Sequence, residues 1–328
     1  MKPTRVAYVL EKLIKTRWPA FLWGPPGVGK SSVVKAVASG CGLELRDIRA
    51  PLLDPTDLRG LPYLKDGVAA WAPPSFLPSD PSSGGVLFFD ELNAAPPLVQ
   101  ASLYQLTLDR RIGEYVLPPG WRIIAAGNRS EDGALVFRMP SALANRFVHL
   151  DFEADFEDWA NWATTASIHP LIQAFLRLRR ELLLDTSSMD RGFPTPRAWE
   201  MASDAISSFG EPPPALTDVL IGIIGEGAAM EFVRFAERSL NAERVDAILK
   251  DPENAELPKE LGDLYALVSF IASGAKNDHV IEAAGRLLNR LSPEIGVMLA
   301  RQVLRLRPDF AGNRGFITFL RKHEALLA

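Results

Sequence analysis

Cysteine is almost absent from this sequence: Cys41 is the only one in 328 residues. One thiol cannot close an intrachain disulfide or supply a cysteine cluster for zinc, so a reducing compartment is the simplest reading. Histidine is scarce too, and His149, His169, His279 and His323 lie far apart, without the spacing of a metal site. Long apolar runs are missing. A spanning helix needs about 18 apolar residues, and the best candidate, Val219 to Ile224, is broken by Gly222 and followed by Gly225 and Glu226. Near the N-terminus only Val6 to Leu10 is free of charge, too short for the core of a signal peptide, and a soluble cytoplasmic protein with no membrane association is expected. Nor is there an excess of positive charge. With 36 Lys+Arg against 40 Asp+Glu the formal net charge is -4, which disfavours a protein that holds nucleic acid mainly through phosphates. What remains is an ordinary globular composition, 47% hydrophobic and 23% charged, with room for roughly two domains of about 150 residues.

Val6, Val9, Leu10, Leu13 and Ile14 recur at helical spacing behind Thr4, which reads as an N-cap, so an amphipathic helix opens the fold. Ala20 to Trp23 is a short apolar run that reads as a strand buried on both faces, and further strand-like runs follow at Leu43 to Ile48, Val86 to Phe89, Arg122 to Ala126 and Phe147 to Phe152. The helical patterns Ser31 to Ser39 and Leu98 to Leu108 lie between them. The alternation predicts an α/β unit with a mostly parallel sheet over residues 1–152. Beyond it helical periodicity takes over. Trp159 and Trp162 sit three apart and read as packing residues, not base-stacking ones. Breaker-rich stretches at Gly210 to Pro214 and Asp251 to Pro258 subdivide this half, giving segments 153–250 and 251–328. From Ala300 to Ala328, Arg301, Arg305, Arg307, Arg314, Arg321 and Lys322 outnumber Asp309 and Glu324, a local charge that reads first as a solvated helix face.

Gly24-Pro25-Pro26-Gly27-Val28-Gly29-Lys30-Ser31 fits the G-x-x-x-x-G-K-[ST] pattern, directly after a predicted strand and before a predicted helix. Gly27 and Gly29 permit backbone conformations that aim N–H groups at phosphate oxygens, at the positive end of the following helix. Lys30 adds a cation for the β- and γ-phosphates, and the Ser31 hydroxyl, with Ser32 beside it, opens the helix as a ligand for Mg2+. Such a site needs a carboxylate at the end of a neighbouring strand. Val86-Leu87-Phe88-Phe89-Asp90-Glu91 supplies it: Asp90 as a metal ligand, directly or through water, and Glu91 to polarise the attacking water. The strand Arg122 to Ala126 runs into Gly127-Asn128, where a neutral amide can hold that water without adding charge.

These motifs, in this order, resemble those of AAA+ ATPases of the MoxR type, the dynein-related subfamily, over about residues 1–200. Asp54-Pro55-Thr56-Asp57-Leu58-Arg59-Gly60 with Gly67 to Trp71 resembles the hairpin inserted in the second helix of that branch. Arg111-Ile112-Gly113-Glu114-Tyr115 ahead of Pro118 resembles the hairpin before the sensor 1 strand. Asn128 matches sensor 1, Asn145-Arg146-Phe147 the arginine-finger segment, and Pro194-Thr195-Pro196-Arg197-Ala198 the start of the sensor 2 helix. The resemblance implies a P-loop fold with a five-stranded, mostly parallel sheet in residues 1–152 and a helical lid in 153–250, which leaves 251–328 as a C-terminal helical extension beyond the usual lid. It implies ATP and Mg2+ as cofactors, assembly as a homo-oligomer, usually a hexamer, and a catalytic set of Glu91, Asn128, Arg146 and Arg197. Arg146 would reach a neighbouring subunit's γ-phosphate, with Arg129 and Arg138 as competitors for that role, and Arg197 would contact phosphate from the lid.

Two departures stand out: Ala94, not Arg, follows Asn93, and Arg129, not Pro, follows Asn128. The function expected is ATP-driven remodelling or activation of a protein partner, by resemblance one bearing a von Willebrand factor A domain. The alternatives are a nucleic-acid-stimulated motor or restriction-type translocase on the same fold, and a nucleotide switch without turnover.

Overall fold

A computed structural model describes residues 1–132, 136–187, 189, 191–210, 212–239 and 241–323. The chain forms two compact units, Met1–Ala154 and Asp155–Ala328. Glu211 and Glu324, which figured in the sequence reading, lie outside the described residues.

The first unit runs α1 (Pro3–Leu13), β1 (Ala20–Trp23), α2 (Lys30–Gly40), β2 (Glu44–Arg49), α3 (Pro55–Arg59), β3 (Leu61–Lys65), β4 (Val68–Ala72), β5 (Gly84–Asp90), α4 (Pro97–Asp109), β6 (Arg111–Ile112), β7 (Tyr115–Val116), β8 (Gly120–Gly127), α5 (Ser141–Ala144) and β9 (Val148–Asp151). Thr4 does not cap α1. Pro3 takes the first helical position, where a missing N–H costs nothing, and the N-cap falls on Lys2. Five strands form one parallel sheet in the order β2-β5-β8-β1-β9. Val86, Leu87, Phe88 and Phe89 of β5 are all buried, as residues on a strand covered on both faces must be. Because every strand points the same way, all five carboxyl ends lie along one edge, where open α/β sheets bind ligands. One spatial relation differs from the sequence reading: β8 lies between β1 and β5, so the strand ending in Asp90 is not the immediate neighbour of the strand that feeds the glycine loop. Crossover connections let chain order and spatial order part company.

Two hairpins leave this sheet. Asp54 accepts from the Thr56 N–H, while the Asp54 N–H donates to Asp57, a capping box that starts α3. Gly60 (φ 87°) then turns the chain so tightly that a Cβ there would lie 1.9 Å from the Ala72 carbonyl oxygen. The β3–β4 hairpin follows, paired from Leu61 with Ala72 to Lys65 with Val68, and it exposes Leu61, Leu64 and Val68. The smaller β6–β7 hairpin precedes β8 and is fixed by the Tyr115 hydroxyl, which donates to Pro78 O at 2.8 Å.

The second unit is helical: α6 (Phe156–Thr165), α7 (Pro170–Leu178), α8 (Pro196–Phe209), α9 (Thr217–Ile224), α10 (Glu226–Arg238), α11 (Ala242–Lys250), α12 (Leu261–Ser273), α13 (Asp278–Leu288), α14 (Pro293–Leu306) and α15 (Arg314–Lys322). Side chains of Asp155, Thr195, Asn241 and Asn277 cap α6, α8, α11 and α13. One core runs from Phe156 to Phe319, and Phe175, Trp199 and Phe232 meet in it at centroid distances of 5.4–5.8 Å. Helix α12 packs with both α7 and α14, so the packing carries no break at residue 250. Trp159 is buried in this core and Trp162 is exposed. Among the described residues no helix is long and apolar enough to cross a membrane.

Candidate functional site

The glycine loop joins β1 to α2 at the carboxyl edge of the sheet. Gly27 (φ 75°) and Gly29 (φ 100°) both occupy the left-handed region that side chains with a Cβ avoid. Gly29 is the N-cap of α2 and has no side chain to cap it, which leaves the helix's first N–H groups to other acceptors. Gly24 packs so closely on the end of β9 that a Cβ would come within 2.6 Å of Phe152 O. Pro25 and Val28 are buried against the unit, Pro26 is partly so, and Ser32 is exposed on α2.

Four of the predicted residues meet here. Lys30 is buried, and its Nζ donates to Gly24 O at 2.5 Å, Pro25 O at 2.9 Å and Asn128 Oδ1 at 2.9 Å. Ser31 Oγ donates to Asp90 Oδ2 at 2.7 Å. Asp90 is 3% exposed, and its other oxygen, Oδ1, accepts the Glu91 N–H at 2.9 Å. That last bond holds Glu91 in a left-handed turn (φ 56°), an uncommon conformation for a side chain with a Cβ. The turn leaves the Glu91 carboxylate 48% exposed beside a buried Asp90. The Ser31 hydroxyl and Asp90 carboxylate are hard oxygen donors side by side, the chemistry Mg2+ prefers, with its shell ordinarily completed by water and substrate phosphates. The residues present therefore fit that metal.

Arg146 and Arg197 are not part of this hydrogen-bonded group. Arg146 is exposed between α5 and β9, and neither it nor exposed Arg138 makes an ion pair among the described residues. Arg129 is tied at 2.7 Å to Asp151. Arg197 is exposed in the first turn of α8 in the second unit. In the C-terminal charge cluster Arg307 is neutralised by Asp278 at 3.0 Å and Asp309 at 2.8 Å.

Sequence reasoning missed two residues. Arg49 ends β2, opposite Asp90 in the parallel register, and its Nη1 lies 2.6 Å from Asp90 Oδ2 and 3.9 Å from Glu91 Oε1. Buried Asn93 ties the exit of β5 to the exit of β8: Nδ2 donates to Asn128 O at 2.7 Å, and Oδ1 accepts the Asn128 N–H at 3.2 Å. Gly127 makes room for this bridge, since a Cβ there would lie 2.2 Å from Asn93 Oδ1. The signal for Arg49 was its place at a strand end, legible only once β2 is known to pair with β5. Asn93 had a weaker one, its position two residues after the acidic pair.

Residues 19–147 match the AAA domain, dynein-related subfamily. Midasin of Giardia intestinalis is 31% identical over 149 residues, 43% of this chain and 3% of midasin. Protein MoxR of Methylorubrum extorquens is 30% identical over 149 residues, 44% of this chain and 43% of MoxR. The chain thus spans less than half the length of these curated relatives. Among solved structures, the Thermotoga maritima RuvB Holliday junction branch migration motor aligns over 81% of this chain and 80% of its own, at 17% identity and a TM-score of 0.39. Within an α/β unit with this parallel sheet and this glycine loop, residues 19–147 thus match an AAA domain of the dynein-related subfamily, and this part of the chain is similar to MoxR.

Proposed function

We propose that this chain is a ring-forming, Mg2+-dependent ATP hydrolase that remodels or activates a protein partner in the cytoplasm, a von Willebrand factor A domain protein by family analogy. The observation that carries the reading is the convergence of Lys30, Ser31, Asp90 and Asn128 within hydrogen-bonding distance at one sheet edge. The residues Gly24 to Ser32 would cradle the phosphates, and Lys30 would exchange its contacts with Gly24 O, Pro25 O and Asn128 Oδ1 for phosphate oxygens. Ser31 and Asp90 would hold Mg2+, which when bound supplies positive charge against the β- and γ-oxygens. Glu91, exposed at the tip of β5, would take the proton of the attacking water, and Asn128 would orient that water without adding charge. The exposure of Arg146 suits a group that serves a neighbouring subunit, and Arg197, exposed in the first turn of α8, would be the phosphate contact only by family analogy. The apolar residues of the β3–β4 hairpin, Leu61, Leu64 and Val68, suit a protein contact surface.

Phosphate release from ATP tests the reading. Glu91→Gln should still bind ATP while turnover falls by about 10²-fold or more, the scale of a lost general base. Turnover at the wild-type rate in Glu91→Gln would sink the catalytic assignment. A nucleic-acid-stimulated motor on the same fold is the rival reading, so DNA belongs in the same assay: stimulation that falls steeply with salt would favour it over a protein partner.

A further inference from the structure

Asp90 has a cation against it within the protein itself. Arg49 Nη1 lies 2.6 Å from Asp90 Oδ2, the same oxygen that accepts from Ser31 Oγ at 2.7 Å. Oδ1 is engaged by the Glu91 N–H, so among the described residues the carboxylate accepts from a hydroxyl, a backbone amide and a guanidinium. This pairing is built into the sheet, because the β2–β5 register sets Arg49 directly beside Asp90. Asp90 is almost wholly buried, and a buried carboxylate needs a compensating charge. Arginine supplies one that no ordinary pH removes.

The oxygen that Arg49 covers is the one a metal held by Ser31 and Asp90 would need. Mg2+ takes its oxygen ligands at about 2.0–2.1 Å, and a guanidinium on the same oxygen would face it as a second cation with little water between them. The Arg49 side chain is 44% exposed, so it can withdraw without disturbing the core, and the Glu91 carboxylate at 3.9 Å offers a second partner. We propose that Arg49 is the resident counter-ion of Asp90, and that Mg2+ enters the site by displacing this guanidinium. Arg49 is then a positioning residue: it holds the Asp90 carboxylate in place, and it sets the metal concentration at which nucleotide binding tightens. The inference rests on the nucleotide reading above and deepens it.

The experiment measures binding of a fluorescent ADP analogue to the full chain, first in EDTA and then across a Mg2+ titration, for wild type, Arg49→Gln and Arg49→Lys. Arg49→Gln should reach half of the metal-dependent gain at about fivefold lower Mg2+, the scale of a half-exposed ion pair. Arg49→Lys keeps the charge without the planar fork and should shift in the same direction by less. An unchanged or raised Mg2+ requirement in Arg49→Gln, with binding in EDTA intact, overturns the proposal. A lysine variant that shifts as far as the glutamine variant overturns the charge argument. Should Arg49→Gln fail to fold, Arg49→Lys decides alone, and an unmoved requirement counts against the proposal. Failure of the wild type to bind the analogue under any metal condition is a different result: it removes the nucleotide reading and the inference with it.

Discussion

Asn93 carries two hydrogen bonds that a strand would otherwise make. Beyond the ends of β5 and β8 the ladder stops, and the Asn93 amide takes its place by pairing with both the N–H and the C=O of buried Asn128. Its own carbonyl accepts from Phe137 N at 2.7 Å, so three segments meet on one residue. Asn93→Ala removes the amide and leaves both polar groups of Asn128 without a partner. The expected cost is about 1–3 kcal/mol, read as a lowered urea midpoint, because an orphaned buried polar group costs more than the bond it made was worth. No change in midpoint would mean that water replaces the amide. Asn93 and Arg49 were both passed over in the sequence for a physical reason. Lys30, Asp90 and Asn128 each follow a recognisable strand or loop, whereas Arg49 and Asn93 gain their roles only from which strands lie side by side.

At the scale of elements, His169 shows how a helix start becomes sensitive to pH. It is the N-cap of α7: its Nδ1 accepts from Leu171 N at 3.3 Å, and its backbone N–H donates to Ser203 Oγ at 2.9 Å. Burial pushes its pKa down from 6.5 to about 4. The unfolded chain therefore binds a proton between these values that the folded chain refuses. Stability from this group is fully present above pH 6.5 and is lost as pH falls toward 4, by roughly 3 kcal/mol in all. His169→Asn keeps an acceptor at the cap and cannot titrate, so urea midpoints taken from pH 7 to pH 4 should fall less in the variant than in wild type. Parallel slopes would show that His169 titrates normally. Elements differ in how much of them sequence could disclose. The inner strands were legible because burial on both faces leaves unbroken apolar runs such as Val86 to Phe89, whereas the edge strands β2 and β9 are mostly exposed or half-buried and carry polar residues between apolar ones. In the second unit periodicity disclosed helices but not their packing, since α12 meets α7 and α14 across long stretches of chain. The start of α1 was misplaced at Thr4 because Pro3 at the first helical position outweighed the missing side-chain cap.

For the whole molecule, the question is whether one chain holds a complete site. The proposed phosphate cradle from Gly24 to Ser31, with Asp90, Glu91 and Asn128, lies within the first unit. Arg146, in the same unit, takes no ion pair among the described residues and faces solvent. On the proposed reading it completes a neighbour's cradle, as a head-to-tail ring would require. Arg129 is the weaker competitor, since Asp151 already holds it. Two damaged subunits separate these ideas. A Lys30→Ala subunit lacks a working cradle but still offers Arg146, while an Arg146→Ala subunit keeps its cradle and offers nothing. Each alone should lose turnover by about 10³-fold or more if the arginine stabilises charge during transfer. Mixed in equal amounts, about a quarter of head-to-tail interfaces join an intact cradle to an intact arginine, and activity should return at those interfaces alone. Rescue should peak near equal mixing and vanish at either extreme. If both variants assemble by sedimentation and no ratio restores turnover, Arg146 does not act across the interface, and the same mixing with Arg138→Ala becomes the deciding measurement.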